Sequence, residues 1–527
     1  MNAYSKRALL SVVLGTTGIL FAQTRVAGSL LAAIFLGLTA LLASAKGFRL
    51  IFHHPGSFWG KTLAYMGALP GTFVAVLCVL ASLGMFLEQL FRQFDPQPRW
   101  EPGPGALNPL PDQSVTNFTS NLPIIILDTR EQPDSPETLT PMRAKFFEVH
   151  GGRASLEVSP DYEGPVTIRI RGHTTRHLPK RSYTFHMVDH QGNQIHVPLL
   201  GLPPGDDWVL YAPYEDKSLM RDVLAYELTR QMGHYAPRTR FVELFIQTTG
   251  PNLSLRDYAG IYVLIEKIKR GKDRVNIAKL EPQDTAEPEI TGGYIVKRDH
   301  DEGAGGQFRT PYGGPFFFVY PKSGTITRQQ RAWLRGYFHA FENALYGDDF
   351  QDPQRGYAAY LDVDAFIDAH WLIEMSKNID GFRYSTYLTK DRGGKLKPGP
   401  PWDWNRSFGN ANYHNGWQPQ GWYWPILRSE EISWFKRLQE DARFRARCAQ
   451  RWLELRRQVF DVENLHRQID QWAILLEEAQ QRNFKRWPVL GEHITCNHYV
   501  GQSYADEVRW LKQWIAQRIK WIDSQLQ

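Results

Sequence analysis

Residues 384–410, YSTYLTKDRGGKLKPGPPWDWNRSFGN, carry the pattern that decides how the second half of the chain folds. YSTYLTKD and GKLKPGP read as two strands around a DRGG turn, which predicts a β-hairpin. Asp380 precedes this hairpin and Asp403 follows it. Because a hairpin brings its two ends together, we expect the two carboxylates to lie close in space.

Asp403 stands between two tryptophans in PWDWN, and this setting permits two interpretations. On its own, the motif is typical of a polar residue in a well-packed aromatic turn. Beside Asp380, the same residue is a candidate metal ligand, since two converging carboxylates suit a divalent metal, or a base next to a metal. The flanking tryptophans would shield such a site from water and strengthen its electrostatics.

Helices are predicted on both sides of this region. The segment DAFIDAHWLIEMSKN (364–378) places apolar residues at helical spacing just before Asp380. His370 lies among them, where a buried core histidine is a commoner finding than a catalyst. The last helix is predicted from Tyr504 to Ile522, because apolar residues repeat there at helical spacing.

The preceding part of the chain alternates like a set of strands. A helix with one apolar face is predicted from about Leu219 to Met232. The order of strands around it indicates a mixed sheet backed by one helix, an α+β arrangement. The predicted strands are LPIIILDT (122–129), PVTIRIRG (165–172), RSYTFHMVD (181–189), TRFVELFIQ (239–247) and YAGIYVLIEKI (258–268).

Two stretches place charge next to these strands. Lys180 and Arg181 follow the turn RGHTT (171–175), whose backbone amides together with a strand-borne cation could hold phosphate oxygens. A solvated strand end explains the same residues equally well. Glu266 and Lys267 follow an apolar strand, and taken alone they are an ordinary strand end.

The first 91 residues differ from the rest and predict two or three transmembrane helices. Crossing a bilayer takes about 20 apolar residues, and the second and third apolar runs are long enough. The first run is short and is either a third span or the core of a signal peptide. The apolar runs are 9–22, 26–45 and 62–91.

The basic residues around these runs predict the orientation in a cell (inner) membrane. They concentrate at the N-terminus and in the second loop, which places both in the cytoplasm. Three spans then put the rest of the chain outside the cytoplasm, whereas a miscount of the first span reverses this. The residues concerned are Lys6, Arg7, Lys46, Arg49 and Lys61.

A linker rich in Pro and Gly is predicted at 92–121, followed by a soluble body at 122–527. Hydrophobic residues make up 43% of the chain and charged residues 22%, as in globular proteins. The net charge of +6 is small for this length and no continuous basic stripe occurs, so the sequence does not indicate a dedicated nucleic-acid binder. Cys448 and Cys496 are the one plausible disulfide, which the sequence leaves open, and neither CxxC nor HExxH occurs.

Several separated motifs of the body resemble the spore-coat protein H (CotH) family of atypical kinases. The resemblance covers about Leu122 to the C-terminus and leaves out the N-terminal runs. The motifs, in order, are LPIIILDT, IRIRGHTTRHLPKRSY, DDWVLYAPYEDKSLMRDVLAYELTRQMG, YAGIYVLIEKI, TGGYIVK, NIDG and PWDWNRSFG.

The resemblance implies a kinase-like α+β domain of two lobes, preceded here by transmembrane α-helices. The strand-rich lobe would span about 122–300 and the helical lobe about 325–527. ATP and Mg²⁺ would bind between them, and a protein hydroxyl would be the acceptor. The implied partners are thus the lipid bilayer, a nucleotide and a protein substrate, and no nucleic acid.

The resemblance also implies roles for single residues. Lys180, with Arg181 beside it, would contact the ATP phosphates, and Glu266 and Lys267 would lie near the nucleotide. Asp380 would accept the proton of the substrate hydroxyl, and Asp403 would bind the metal.

Two positions depart from the pattern of kinases. Asn405 stands where a second metal-binding Asp is expected, and Ser385 stands five residues after Asp380, where kinases carry a metal-binding Asn. Both would weaken metal binding.

Two other functions remain as alternatives. A degenerate kinase fold could serve as an extracytoplasmic module that binds or assembles an envelope component. The aromatic residues just after Asp403 could stack on sugars in that case, although core packing is the commoner role. Transfer of another nucleotide-derived group, such as an adenylyl group, is the second alternative. These aromatic residues are Trp417, Trp422, Tyr423 and Trp424.

Overall fold

Alternating apolar and polar residues build the first and larger sheet. The structure is a computed structural model that describes residues 110–129, 135–173, 175–248, 252–300, 306–428 and 431–526. In β5 the side chains of Val166, Ile168 and Ile170 point into the sheet's core, whereas Arg169 and Arg171 lie on the outer face. This period of two follows from the pleat of a β-strand.

The larger sheet closes on itself, in the order β10-β11-β9-β6-β5-β3-β2 and back to β10. Closure comes from the parallel pairing of β2 with β10, while the other neighbours in the sheet are antiparallel. The strands of the chain are β1 Thr119–Ser120, β2 Ile124–Asp128, β3 Thr140–Phe147, β4 Ala154–Ser155, β5 Tyr162–Arg171, β6 Ser182–Met187, β7 Val197–Leu199, β8 Leu202–Gly205, β9 Asp207–Tyr211, β10 Thr239–Gln247, β11 Tyr258–Glu266, β12 Tyr294–Arg298, β13 Gln307–Thr310, β14 Gly314–Tyr320, β15 Thr386–Lys390 and β16 Leu396–Pro398.

A second sheet has the strand order β13-β14-β12-β15-β16. Strands β15 and β16 form the predicted hairpin, with Leu388 opposite Pro398 and Lys390 opposite Leu396. Strand β12 lies between β14 and β15, so segments from before and after residue 325 share this sheet. Two short pairs, β1 with β4 and β7 with β8, complete the strands.

The helices cover the two sheets and each other. Side chains at the N-caps satisfy the free amides of the first turn in several of them, for example Asp362 in front of α3 and Ser503 in front of α7. The helices are α1 Arg221–Gln231, α2 Arg328–Tyr346, α3 Val363–Ser376, α4 Trp434–Leu438, α5 Ala442–Arg456, α6 Val462–Arg486 and α7 Tyr504–Gln525. Short 3₁₀ helices lie at Thr175–His177, Leu255–Asp257, Glu289–Thr291, Tyr357–Ala359 and Trp424–Ile426.

The mixed helix and strand class is confirmed, but a clear division into two lobes is not seen. The described residues belong to one compact unit. The predicted mixed sheet closes on itself because two further strands, which were not predicted, join the predicted ones. Strand β9 links β11 to β6, and β3 links β5 to β2.

The predicted transmembrane runs lie outside the described residues. Among the helices that the structure does describe, none combines the length and apolar character needed to cross a bilayer. The predicted linker is described only from residue 110 on, and that part packs on the body, with Leu110 and Val115 buried. Cys448 and Cys496 are both buried and free, so no disulfide joins them.

Candidate functional site

The loop that carries Asp380 follows α3 and is fixed by hydrogen bonds. Lys377 ends the helix in a left-handed conformation, with φ of +47°. The hydroxyl of Tyr423 donates to the carbonyl oxygens of Ile379 (2.7 Å) and Gly381 (2.9 Å), on either side of Asp380. Tyr423 therefore positions this loop from within the core, while Asp380 itself is half-buried.

The loop that carries Asp403 follows β16 and has an unusual backbone. Asp403 has a φ of +64°, a backbone conformation that residues other than glycine rarely adopt. Its amide donates to the hydroxyl of Tyr226 at 3.1 Å, and the amide of Trp404 donates to Oδ1 of Asp222 at 2.8 Å. Trp402 and Trp404 are buried on either side, whereas Asp403 is exposed.

The two carboxylates lie close enough to influence each other. Asp403 lies in a recess that opens to solvent but is surrounded by protein on most sides. The loss of surrounding water, and after it the charge of Asp380, raises the pKa of Asp403 to about 6. Arg171 and Arg406 oppose the shift. Among the described residues, no donor bonds to the carboxylate of Asp380 or Asp403.

A buried third acid, Asp222 on α1, lies behind this pair. Burial and the charge of Asp403 raise its pKa to about 7. Within the described parts of the chain, no group of three or more His, Cys, Asp or Glu side chains is arranged to hold a metal ion. The site is therefore a pair of accessible carboxylates with a supporting acid.

Cations approach the same recess from the outer face of the closed sheet. The guanidinium of Arg171, at the end of β5, lies 5.0 Å from the centre of the Trp402 ring. Its charge acts on both Asp403 and Lys267, so it lies near each of them. Lys267 pairs with Asp207 at 3.2 Å, and burial lowers its pKa.

Lys180 is engaged inside the fold. Its ammonium is buried and donates to the carbonyl oxygen of Ile261 (2.6 Å) and to Oδ1 of Asn483 (2.8 Å), and burial lowers its pKa well below the ordinary value. It thus ties the connection between β5 and β6 to α6. Its neighbour Arg181 is half-buried, and the carbonyl oxygen of Arg181 accepts from Tyr262. The predicted contact of this pair with phosphate stays a prediction.

Glu266 is also engaged inside the fold. Its carboxylate is fully buried and pairs with Arg238 at 2.6 Å and Arg274 at 3.1 Å. It also accepts from the hydroxyl of Tyr235 at 3.2 Å. The predicted proximity of Glu266 to a nucleotide likewise stays a prediction.

Asn405 and Ser385, the two positions that depart from the kinase pattern, have different surroundings. Asn405 is buried and donates its amide to Oε2 of Glu215 at 2.9 Å, which anchors the loop. Ser385 has a φ of +48° and lines a neighbouring cavity. Neither is shown to be a metal ligand.

This cavity has a volume of about 430 Å³ and lies over the hairpin. Tyr387 and Trp402 form part of its wall, edge to face at 6.3 Å. Polar groups at the wall include His234 and Asp368, whose side chains are joined at 2.7 Å. Its size and aromatic walls are typical of sites for small organic ligands.

The aromatic residues after Asp403 pack into the body. Trp422 contacts the rings of Trp371 (6.2 Å) and Trp521 (4.8 Å), and Trp417 stacks on His498 at 4.9 Å. Tyr423 supports the Asp380 loop from within. The packing role that the sequence left as the commoner one accounts for these contacts.

Sequence reasoning missed Arg171, Asp222 and Tyr226. The alternation in IRIRG, with two arginines on the outer face of an otherwise apolar strand, could have pointed to Arg171. Nothing in the sequence places Asp222 or Tyr226 next to Asp403, because their contact joins positions far apart in the chain.

Comparison with known proteins found a family model that matches more than half of the chain. A family model described as CotH kinase protein matches residues 168–522. The match therefore includes β15, β16 and both carboxylates. No curated protein matches the chain significantly.

Proposed function

The chain belongs to the CotH kinase protein family, and from this premise we propose that it is a membrane-anchored phosphotransferase that uses ATP and Mg²⁺ to modify a protein hydroxyl. The observation that carries the proposal is the pair of accessible carboxylates, Asp380 and Asp403, with Arg171 beside them. Phosphoryl transfer needs a metal, positioned phosphates and an aligned hydroxyl rather than covalent catalysis by the protein.

The donor set of the recess fits Mg²⁺. Proteins hold this ion through one or two carboxylates, and water and phosphate oxygens fill the remaining positions. Asp403 and Asp380 offer carboxylate oxygens that no described donor occupies. Desolvation, and after it the repulsion between the two carboxylates, raises the pKa of Asp403. Bound Mg²⁺ would relieve that repulsion and neutralise charge on the phosphates.

We assign the following roles to the chain's own residues. Asp403 holds the metal, and Asp380, in the loop fixed by Tyr423, accepts the proton of the acceptor hydroxyl. Arg171 and Lys267 on the outer face of the sheet bind phosphate oxygens.

The cavity beside Tyr387 and Trp402 supports binding of the nucleotide base. It shares the Trp402 wall with the recess, so a planar base there could lie next to phosphates held by Arg171. Aromatic walls with a few polar groups suit such a heterocycle.

The anchor of this enzyme is the apolar region at 1–91. The basic residues around its runs support an extracytoplasmic body, although ATP is scarce there. A reporter fused to the C-terminus and active in one compartment only decides the side. A cytoplasmic signal would contradict the extracytoplasmic placement of the body.

Nucleotide binding tests the proposal directly. Isothermal titration of the full chain with ATP should show binding that requires Mg²⁺ and is lost in Asp403→Ala. Asp364→Ala is the matched control, because Asp364 is an exposed acid on α3, with 81% of its side chain accessible. Binding that is absent in the wild type, or unchanged in Asp403→Ala, contradicts the proposal.

The mass of the modified product separates the alternatives. An added phosphate supports the kinase, whereas an added AMP supports adenylyl transfer within the same fold. Retention on an envelope polymer without nucleotide binding would favour the binding module.

A further inference from the structure

The conformation of Asp403 is imposed by other residues. Its φ of +64° is unfavourable for a side chain with a Cβ, and such conformations persist where the surroundings hold them. The hydrogen bonds to this backbone come from α1, a helix more than 150 residues earlier in the chain.

We propose that Asp222 and Tyr226 on α1 are positioning residues that direct the carboxylate of Asp403 into the recess. This inference rests on the proposed function, in which Asp403 holds the metal. Neither residue touches the substrate or the metal in this account, and both act through the backbone at Asp403 and Trp404.

The contacts form a short relay. The hydroxyl of Tyr226 accepts from the amide of Asp403 at 3.1 Å and donates to Oδ1 of Asp222 at 3.2 Å. Oδ1 of Asp222 also accepts from the amide of Trp404 at 2.8 Å. Because Asp222 and Tyr226 are four residues apart on one helix, they lie on the same face. Two successive amides are therefore fixed by one helix.

The relay is buried, which makes it rigid and strong. Asp222 is 3% exposed and Tyr226 is 1% exposed. The Tyr226 ring also stacks on Trp402 with centres 6.5 Å apart. In such a dry environment each hydrogen bond is worth more than at the surface.

Asp222 also keeps a buried oxygen without a partner. Its Oδ2 has no hydrogen bond among the described residues, although a lone buried carboxylate oxygen is costly. Packing alone does not explain an acid here, because an apolar residue of similar size would avoid that cost. A role toward the backbone at Asp403 does explain it.

Metal binding by variants tests the relay. Binding of Mn²⁺ alone to the full chain, followed by electron paramagnetic resonance of the free ion, should weaken about tenfold in Tyr226→Phe and in Asp222→Ala, as for other residues that orient metal ligands. Asp222→Asn keeps an oxygen that can accept from the Trp404 amide, so it should retain most of the affinity.

The matched control is Tyr258→Phe. It also removes a buried tyrosine hydroxyl from a carboxylate, that of Glu243, but Tyr258 belongs to a different hydrophobic cluster from Tyr226. Mn²⁺ affinity should not change in this variant. In steady-state kinetics, Tyr226→Phe should raise the KM for Mg²⁺ more than it lowers kcat.

Wild-type Mn²⁺ affinity in folded Tyr226→Phe overturns the inference. If the wild type itself binds no Mn²⁺, the proposed function fails, and a crystal structure of Tyr226→Phe then decides about the relay. A left-handed Asp403 in that variant overturns the inference, and a relaxed backbone supports it. If Tyr226→Phe does not fold, Asp222→Ala provides the same measurements.

Discussion

Binding of Mn²⁺ at Asp403 should depend steeply on pH in a range where an ordinary aspartate stays ionised. The pKa of Asp403 is raised to about 6 by its protein surroundings and by Asp380. A carboxylate must lose its proton to bind a metal, so protons compete with the ion below this pKa. Lowering the pH from 7 to 5 is therefore the perturbation.

The raised pKa sets the expected magnitude. At pH 7 the carboxylate is about nine-tenths ionised, and at pH 5 about one-tenth, so the affinity should fall about tenfold. An aspartate with the ordinary value of about 3.9 is ionised at both pH values and predicts a change of less than about 10%. The two cases differ enough to be told apart in one titration series.

The assay is titration of the full chain with Mn²⁺ alone, because a nucleotide has its own titrating phosphate. Free Mn²⁺ is measured by electron paramagnetic resonance at pH 7, 6 and 5. Asp380→Asn serves as a second arm: loss of its charge lowers the pKa of Asp403, so the remaining affinity should vary less with pH. A wild-type affinity that stays constant from pH 7 to 5 refutes the reasoning.

Three further predictions concern the body that supports the site. Burial lowers the pKa of His370 to about 3, so below pH 6.5, the pKa in the unfolded chain, unfolding takes up a proton. The free energy of unfolding of the wild type should therefore fall by about 2 kcal/mol between pH 7 and 5. Urea titrations of His370→Leu should not show this loss. Arg518→Met should lower the free energy of unfolding by about 3–5 kcal/mol, because it leaves the buried carboxylate of Glu374, 3.0 Å away, without its cationic partner. Arg509→Met, on the exposed face of the same helix, should cost less than about 1 kcal/mol. Burial raises the pKa of the Cys496 thiol to about 12, so alkylation at pH 8 followed by peptide mass spectrometry should leave it unmodified until the protein is unfolded.

The elements next to the site follow from local sequence pattern. Helix α3, the hairpin β15–β16 and α7 were predicted within a few residues of their ends, because each has a clear period and turn residues at its boundaries. The same hairpin explains why Asp380 and Asp403 come together. The hairpin and the proximity of the two acids could therefore be predicted without knowing any contact between distant segments.

The remainder depends on contacts between distant segments. Strand β9 contains Trp208, and its short apolar run shows no alternation by which to recognise it, since both faces are buried. Lys180 looked like a strand-end cation but turns inward because Asn483 on α6 offers it a partner. The arrangement of Asp222 and Tyr226 around Asp403 likewise arises only when α1 packs on the loop.

Transfer of phosphate in the wild type and in Asp403→Ala tests the central claim most directly. The full chain is incubated with ATP labelled at the γ-phosphate, Mg²⁺ and a mixed protein substrate, and label on protein is counted. Circular dichroism confirms that both proteins are folded. The proposed function predicts label with the wild type and none above background with Asp403→Ala, and equal label with both proteins would contradict it.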